Sequence, residues 1–247
     1  MWRDILPFRK ICVSLQCVSC RQHNAPQRSE EQLTIHCLYM IEMYGATVAS
    51  GEREIATGIS FMADGGKRVA IAGGNDSDKQ TVLEALHGLV PLKAGWVCID
   101  SEPLVAQTIH HFRSQMSYMP LAMGAEDITV EQLVQQLLSL DSNADCIYSK
   151  KALLSEWKAL RIDAACYDMT FGDIDAATTQ RIMLSIVGLF ARPIALLHTP
   201  TSQQDADGQA AVKDYLSSPR FKETAVIIAT DDAQLLNVCD TVIRLNP

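Results

Sequence analysis

The stretch Arg68-Val-Ala-Ile-Ala-Gly-Gly-Asn-Asp-Ser-Asp-Lys-Gln-Thr-Val-Leu83 constrains this chain more than any other. Val69 to Ala72 have the composition of a buried strand. A turn bearing Gly73, Gly74 and Asn75 follows, and Ser77, the lone Lys79, Gln80 and Thr81 lead into an amphipathic helix. Strand, glycine turn, lysine and helix in that order form the layout of a phosphate-binding loop, where backbone N–H groups and the positive end of a helix converge on an oxyanion. The spacing asks for G-x-x-x-x-G-K-[ST], and only Gly73 and Lys79 fit it. Asp78 replaces the glycine before the lysine, Asp76 stands at another position commonly glycine, and Gln80 replaces the metal-binding hydroxyl, although Thr81 keeps a hydroxyl one residue later. The scaffold is of a nucleotide-binding kind, and the loop reads as one that has stopped binding nucleotide. Its vestigial site is Gly73, Gly74, Asn75, Ser77, Lys79, Gln80 and Thr81.

Beyond Met40 the pattern alternates between strand and helix. Strands are expected at 41–43, 54–61, 68–72, 96–99, 116–119, 194–197, 225–229 and 242–245, and helices at 81–89, 129–140, 153–160, 176–189, 207–216 and 233–238. The clearest helix has apolar residues at 130, 133, 134, 137 and 138, one face of a 3.6-residue period. Thr129 and Gln132 supply a capping box at its start. Strands alternating with helices at this spacing imply a largely parallel sheet covered on both faces.

The chain has 247 residues, 48% of them hydrophobic, enough for one large α/β domain or a domain with a subdomain. Its net charge of −8 argues against nonspecific binding to nucleic acid or anionic lipid. No apolar run approaches the roughly 20 residues needed to insert across a bilayer. The eight cysteines read as free thiols of a cytoplasmic protein rather than a disulfide framework. Residues 1–39 stand apart as an N-terminal extension: they hold four of the cysteines and five Lys or Arg against three acids. Readings open for them are a disordered leader, a mis-assigned start with translation beginning at Met40 or Met43, a targeting leader, and a zinc site on Cys17 and Cys20 with His23. The zinc reading lacks a second close pair of ligands.

The order of elements over residues 40–247 resembles an ATP-binding cassette, the nucleotide-binding domain of ABC transporters. Gly88-Leu-Val-Pro-Leu-Lys-Ala-Gly-Trp-Val-Cys-Ile-Asp100 is similar to the family's stretch after the Walker A helix. Ser117-Tyr-Met-Pro120 sits where the glutamine loop begins, and Gln180-Arg-Ile-Met-Leu184 resembles the helix after the signature motif. Leu196 through Asp205 has the shape of Walker B and the D-loop, and Ala225 to Asp232 that of the switch strand. The resemblance implies a P-loop NTPase-like α/β fold: a mostly parallel sheet, an antiparallel β subdomain, and a helical subdomain at about 125–175.

Carried over residue by residue, the family's functional groups are nearly all replaced. Leu121 stands for the metal-ligating glutamine, and Ile174-Asp-Ala-Ala-Thr178 for the signature. His198 and Thr199 stand for the Walker B aspartate and catalytic glutamate, Asp231 for the switch histidine, and Ser50 for the adenine-stacking aromatic. Asp76 and Asp78 place negative charge in the phosphate cradle, while acids at a helix N-terminus are themselves favourable by about 0.3–1 kcal/mol. The expectation is that both helix N-termini, at the loop and at the signature with Asp173 and Asp175, are satisfied by the chain's own carboxylates. Lys79 is expected to pair with Asp76 or Asp78. Magnesium requires hard oxygen ligands, which Gln80 and His198 do not offer, and Thr199 is no base at neutral pH. His198 is expected to be a buried strand-end histidine, and His110 and His111 to lie at the surface.

Cassettes of this family work as head-to-tail dimers with each ATP between one Walker A and the partner's signature, so this chain would leave every composite site with a damaged half. The functional expectation is a pseudo-ATPase: a peripheral cytoplasmic subunit supporting a membrane permease or an active cassette partner, with no catalytic residues, no metal and no cofactor. The alternative is a drifted ABC ATPase subunit that still binds ATP and Mg²⁺. A third reading is a cassette-like domain adapted to another small ligand.

Overall fold

A computed structural model describes residues 40–245, apart from 123, 125, 145 and 147. The readings made for residues 1–39, including the zinc site, lie outside the described residues.

Two sheets are built. Strands β1 (Met40–Ser50), β2 (Arg53–Asp64), β4 (Ala94–Ile99) and β5 (Glu102–Pro103) form an antiparallel sheet in the order β2-β1-β4-β5. Ile41 lies opposite Ala63 on one side and Ile99 on the other. Gly95 has φ +81°, and a Cβ there would lie 2.5 Å from the Tyr44 carbonyl oxygen, so only glycine lets β4 approach β1.

The second sheet contains β3 (Arg68–Ala72), β6 (Met116–Met119), β7 (Ile194–His198), β8 (Ala225–Ala229) and β9 (Thr241–Arg244), in the order β6-β7-β8-β3-β9. Every pairing in it is parallel. Successive residues feed opposite cores, as period-2 side chains must. Ile194, Leu196, Ala225 and Ile227 join the core shared with the antiparallel sheet and helix α1 (Asp76–Leu86). Ala195, Leu197, Val226 and Ile228 join a second core with helices α3 (Val130–Leu138), α4 (Lys150–Ala159), α5 (Ala176–Phe190) and α6 (Ala206–Leu216). Burial on both faces is why these strands read as unbroken apolar runs. Between β6 and β7 the described chain carries helices and short 3₁₀ turns.

The capping box expected of α3 is formed: Thr129 Oγ1 accepts from Gln132 N at 3.1 Å, and Gln132 Oε1 accepts from Thr129 N at 2.8 Å. Helix α1 starts five residues before the expected Thr81. Its first turn is wholly polar, so hydrophobic periodicity is silent there, while the Asn75 side chain accepts from Asp78 N at 2.8 Å and starts the helix. Helix α2 (Ile109–Ser114) was not expected, being too short to show a period. It carries His110 and His111, both exposed as anticipated. Cys98, Cys146, Cys166 and Cys239 are free thiols.

Candidate functional site

Because β3 lies between β8 and β9, the loop after β3 faces the turn after β8 at the carboxyl edge of the parallel sheet. Ligands of open α/β sheets bind along this edge. Gly73 and Gly74 both have positive φ, +80° and +63°, the backbone that a phosphate loop requires. Lys79 is buried, 2% exposed, with its ammonium brought back under the loop.

The sequence pattern does not anticipate what meets that ammonium. Lys79 Nζ pairs with Asp231 Oδ2 and, at 3.2 Å, with Asp76 Oδ1. Asp231 Oδ1 also accepts the Gly73 N–H at 2.7 Å. One carboxylate thus takes both the loop's backbone donor and its lysine. Pairing with Asp76 agrees with expectation; Asp78 is not a partner of Lys79. Asp78 binds Arg53 of β2 instead, with Arg53 Nη1 at 3.3 Å from Oδ2 and Nη2 on Oδ1. A Cβ at Gly74 would lie 3.4 Å from Asp78 Oδ2, so this carboxylate lies close over the loop backbone. Burial opposes the Lys79 charge, but the bonds from Asp231 and Asp76 outweigh it and raise the pKa above 10.5. For Asp231, burial is likewise outweighed, by Gly73 N–H and Lys79, and its pKa is lowered.

The position of Asp231 follows from its neighbours. Thr230 N donates to Ile71 O at 2.9 Å, extending the β3–β8 ladder, and Asp232 caps helix α7 (Ala233–Leu236) by accepting from Gln234 N at 2.8 Å. Held between those two anchors, Asp231 faces the loop.

Other members of the candidate site serve the helix rather than the cradle. Asn75 is its N-cap; Thr81 Oγ1 donates to Ser77 O at 2.8 Å, and Gln80 Nε2 donates to Glu84 Oε1 at 2.7 Å. The hydroxyl retained at Thr81 is therefore committed within its own helix.

At the end of β7, His198 is fully buried, and neither ring nitrogen has a hydrogen-bond partner in the structure. Burial lowers its pKa, against an opposing pull from the neighbouring Asp76. Thr199 has φ +41°, strained for a β-branched residue, and its buried hydroxyl is also unpartnered. Gln180 of α5 supports that turn: its Nε2 donates to Thr199 O at 2.8 Å and Ser202 Oγ at 3.0 Å, and its Oε1 accepts from Gln204 Nε2 at 2.9 Å.

The segment expected at the signature position opens α5. Asp175 is the N-cap, accepting from Thr178 N at 2.9 Å, and the Thr178 bonds hold its carboxyl below its ordinary pKa. Asp173 stands in the preceding 3₁₀ turn and accepts from Thr170 Oγ1 at 2.6 Å, so it does not cap the helix as expected. Leu121 and Ile174 meet on a cavity of about 380 Å³, bounded also by Met119, Phe171, Gln180 and Met183. Among the described residues no group of three or more His, Cys, Asp or Glu could hold a metal ion.

The fold and this edge define a class: a parallel-sheet α/β domain of the P-loop kind, with a strand, glycine turn, buried lysine and helix at its carboxyl edge. No family model matches the chain. Among curated proteins it is similar to the energy-coupling factor transporter ATP-binding protein EcfA1 of Leuconostoc mesenteroides, 24% identical over 79% of this chain and 73% of the relative. It is likewise similar to the manganese transport system ATP-binding protein MntB of Listeria innocua, 24% identical over 83% of this chain and 86% of the relative. It spans only 38% of a probable ABC transporter ATP-binding/permease protein of Haemophilus influenzae. Among solved structures, a putative ABC transporter ATP-binding protein from Pyrococcus furiosus superposes with TM-score 0.70 over 83% of this chain and 97% of that one, at 18% identity. Curated and structural likeness agree: the chain is similar to ATP-binding proteins of ABC transporters and shares their fold.

Proposed function

We propose that this cassette works as a pseudo-ATPase, a subunit that supports or regulates a membrane permease or an active cassette partner without turning ATP over. The observation that carries the reading is the end of β7. Phosphoryl transfer depends on a metal held by hard oxygens and on a group that positions the attacking water. His198 and Thr199 occupy that strand end, one a buried imidazole and the other a hydroxyl in a strained turn. Leu121, across the sheet edge, adds no polar atom. The site residues Gly73, Gly74, Asn75, Ser77, Lys79, Gln80 and Thr81 are, on this reading, a retained scaffold.

The partner follows from the relatives, whose names describe ATP-binding proteins of transport systems. Among the described residues no helix is long and apolar enough to cross a membrane. A transport role would then be shared with a separate permease, the cassette lying peripherally on it.

The test is phosphate release from Mg-ATP by the purified chain, alone and with its copurifying partner. No release above that of a Lys79→Ala variant is expected. Turnover that depends on Lys79 would replace this reading with that of a drifted ATPase subunit, the role that the relatives' names suggest.

A further inference from the structure

The loop after β3 is already carrying an anion. Asp231 Oδ1 sits 2.7 Å from Gly73 N, and Oδ2 is on the Lys79 ammonium, so its two oxygens take the donors that a phosphate loop offers to two phosphate oxygens. We propose that Asp231 is a tethered anion plugging the phosphate loop, and that removing its charge uncovers a site for a phosphoryl oxyanion at Gly73 N–H and Lys79. The inference deepens the pseudo-ATPase reading and rests on it.

Charge supports the assignment. Asp78 is paired with Arg53, Lys79 bonds both Asp76 and Asp231, and Arg244 also faces the Asp231 carboxylate. An incoming oxyanion would have to displace the Asp231 carboxylate from both donors, against its like charge. Without the Asp231 carboxylate, Lys79 keeps Asp76 alone, Arg244 loses its nearby acid, and the loop N–H is left as a free donor. A like charge set against a ligand weakens its binding, so its removal is expected to tighten anion binding about tenfold or more.

A buried polar group beside the loop lysine is also left without a partner. His198 is fully buried beside Asp76 and Lys79, with both ring nitrogens unpartnered. Buried polar groups are rarely left in that state.

Asp231 is suited to substitution, because its side chain is 54% exposed and it stands in a turn fixed by Thr230 and Asp232 on either side. The experiment is calorimetric titration of the full chain with inorganic phosphate, and separately with Mg-ATP, for the unmodified protein, Asp231→Asn, Asp231→Ala and Asp231→Asn combined with Lys79→Ala. Saturable phosphate binding in both single variants, absent from the unmodified chain and from the double variant, is the expected result. Equal binding by the unmodified chain and the single variants would overturn the plug, as would no binding by single variants that keep the native circular dichroism. Binding of Mg-ATP without inorganic phosphate would also overturn it, since contacts elsewhere on the nucleotide would then be responsible. Amide exchange supplies a check that needs no variant: Gly73 N–H is expected to be protected in anion-free buffer, and exchange at the open-chain rate would remove the bond on which the plug depends. Failure of the plug leaves the pseudo-ATPase reading intact, whereas Lys79-dependent turnover by the unmodified chain would defeat that reading by itself.

Discussion

Helices α1 and α5 begin where the sequence resemblance puts the phosphate loop and the signature, and carboxylates serve both places, but by different means. At α5 the closure is local: Asp175 accepts from Thr178, three residues along, and the helix needs nothing from elsewhere to finish its first turn. At α1 the first-turn cap is Asn75, a neutral side chain, while the loop donor and the buried lysine go to Asp231, 158 and 152 positions away in sequence. Arg53 reaches in from the antiparallel sheet to Asp78. The α5 closure is a helix cap. The α1 closure ties three strands and a helix together through charge, and it depends on the sheet order being right.

That contrast can be broken most forcefully at Lys79. Lys79→Met would leave Asp76 and Asp231 facing each other with no cation between them. The loss expected is roughly 2 kcal/mol, between the cost of breaking a buried pair and that of an exposed one, because the lysine is buried and both acids are half exposed. It should appear as a lower urea midpoint, and the penalty should shrink in high salt. A penalty that is indifferent to salt would mean that Lys79 matters for packing alone.

Removing the local cap should cost less. Asp175→Ala is expected to lose about 1 kcal/mol, the usual worth of an N-cap, with faster amide exchange confined to the first turn of α5. Loss of protection spreading to β7 would show that α5 is anchored from its N-terminus rather than through Gln180.

The pH dependence separates the two ends further. Asp231 and Asp175 both have lowered pKa values, so their stabilisation is present above the ordinary aspartate value of 3.8 and is lost as pH falls below it, through the folded values. Lys79 has a raised pKa, so its contribution is complete below 10.5 and is lost only as pH climbs beyond that through the folded value. Unfolding followed against pH should therefore show acid loss from both ends. Alkaline loss traceable to these groups should come from α1 alone, and should disappear in Lys79→Met.

The smallest effect is expected at Asp173. Its carboxylate accepts from the Thr170 hydroxyl in an exposed turn, and Asp173→Asn should change stability by less than about 0.5 kcal/mol. A larger loss would mean that this carboxylate stabilises α5 in spite of standing outside it.

Much of the fold was legible because its strands and longer helices are periodic or uniformly apolar. The strand expected at 225–229 and the strand at 194–197, found one residue longer, are buried on both faces, and continuous hydrophobicity is what that environment demands. The capping box of α3 was legible because it depends on residues three apart. Where periodicity is absent the reading failed: the polar first turn of α1 and the six residues of α2 bury too few side chains to leave a pattern.

The amino-acid order by itself determined the strand–loop–lysine–helix unit, the missing glycines, and that an aspartate caps α5, though not which of Asp173 and Asp175, since each of these is a relation between near neighbours. Only the tertiary structure decided which carboxylate holds Lys79. Sequence proximity favoured Asp76 or Asp78, and Asp76 does pair with it, but a buried ammonium also takes whatever other oxygen the fold brings within bonding distance. Placing β8 beside β3 brings Asp231 there, whereas Asp78 is held by Arg53 from a strand of the other sheet. Such contacts are set by strand order and turn geometry over more than a hundred residues, and local pattern carries no record of them.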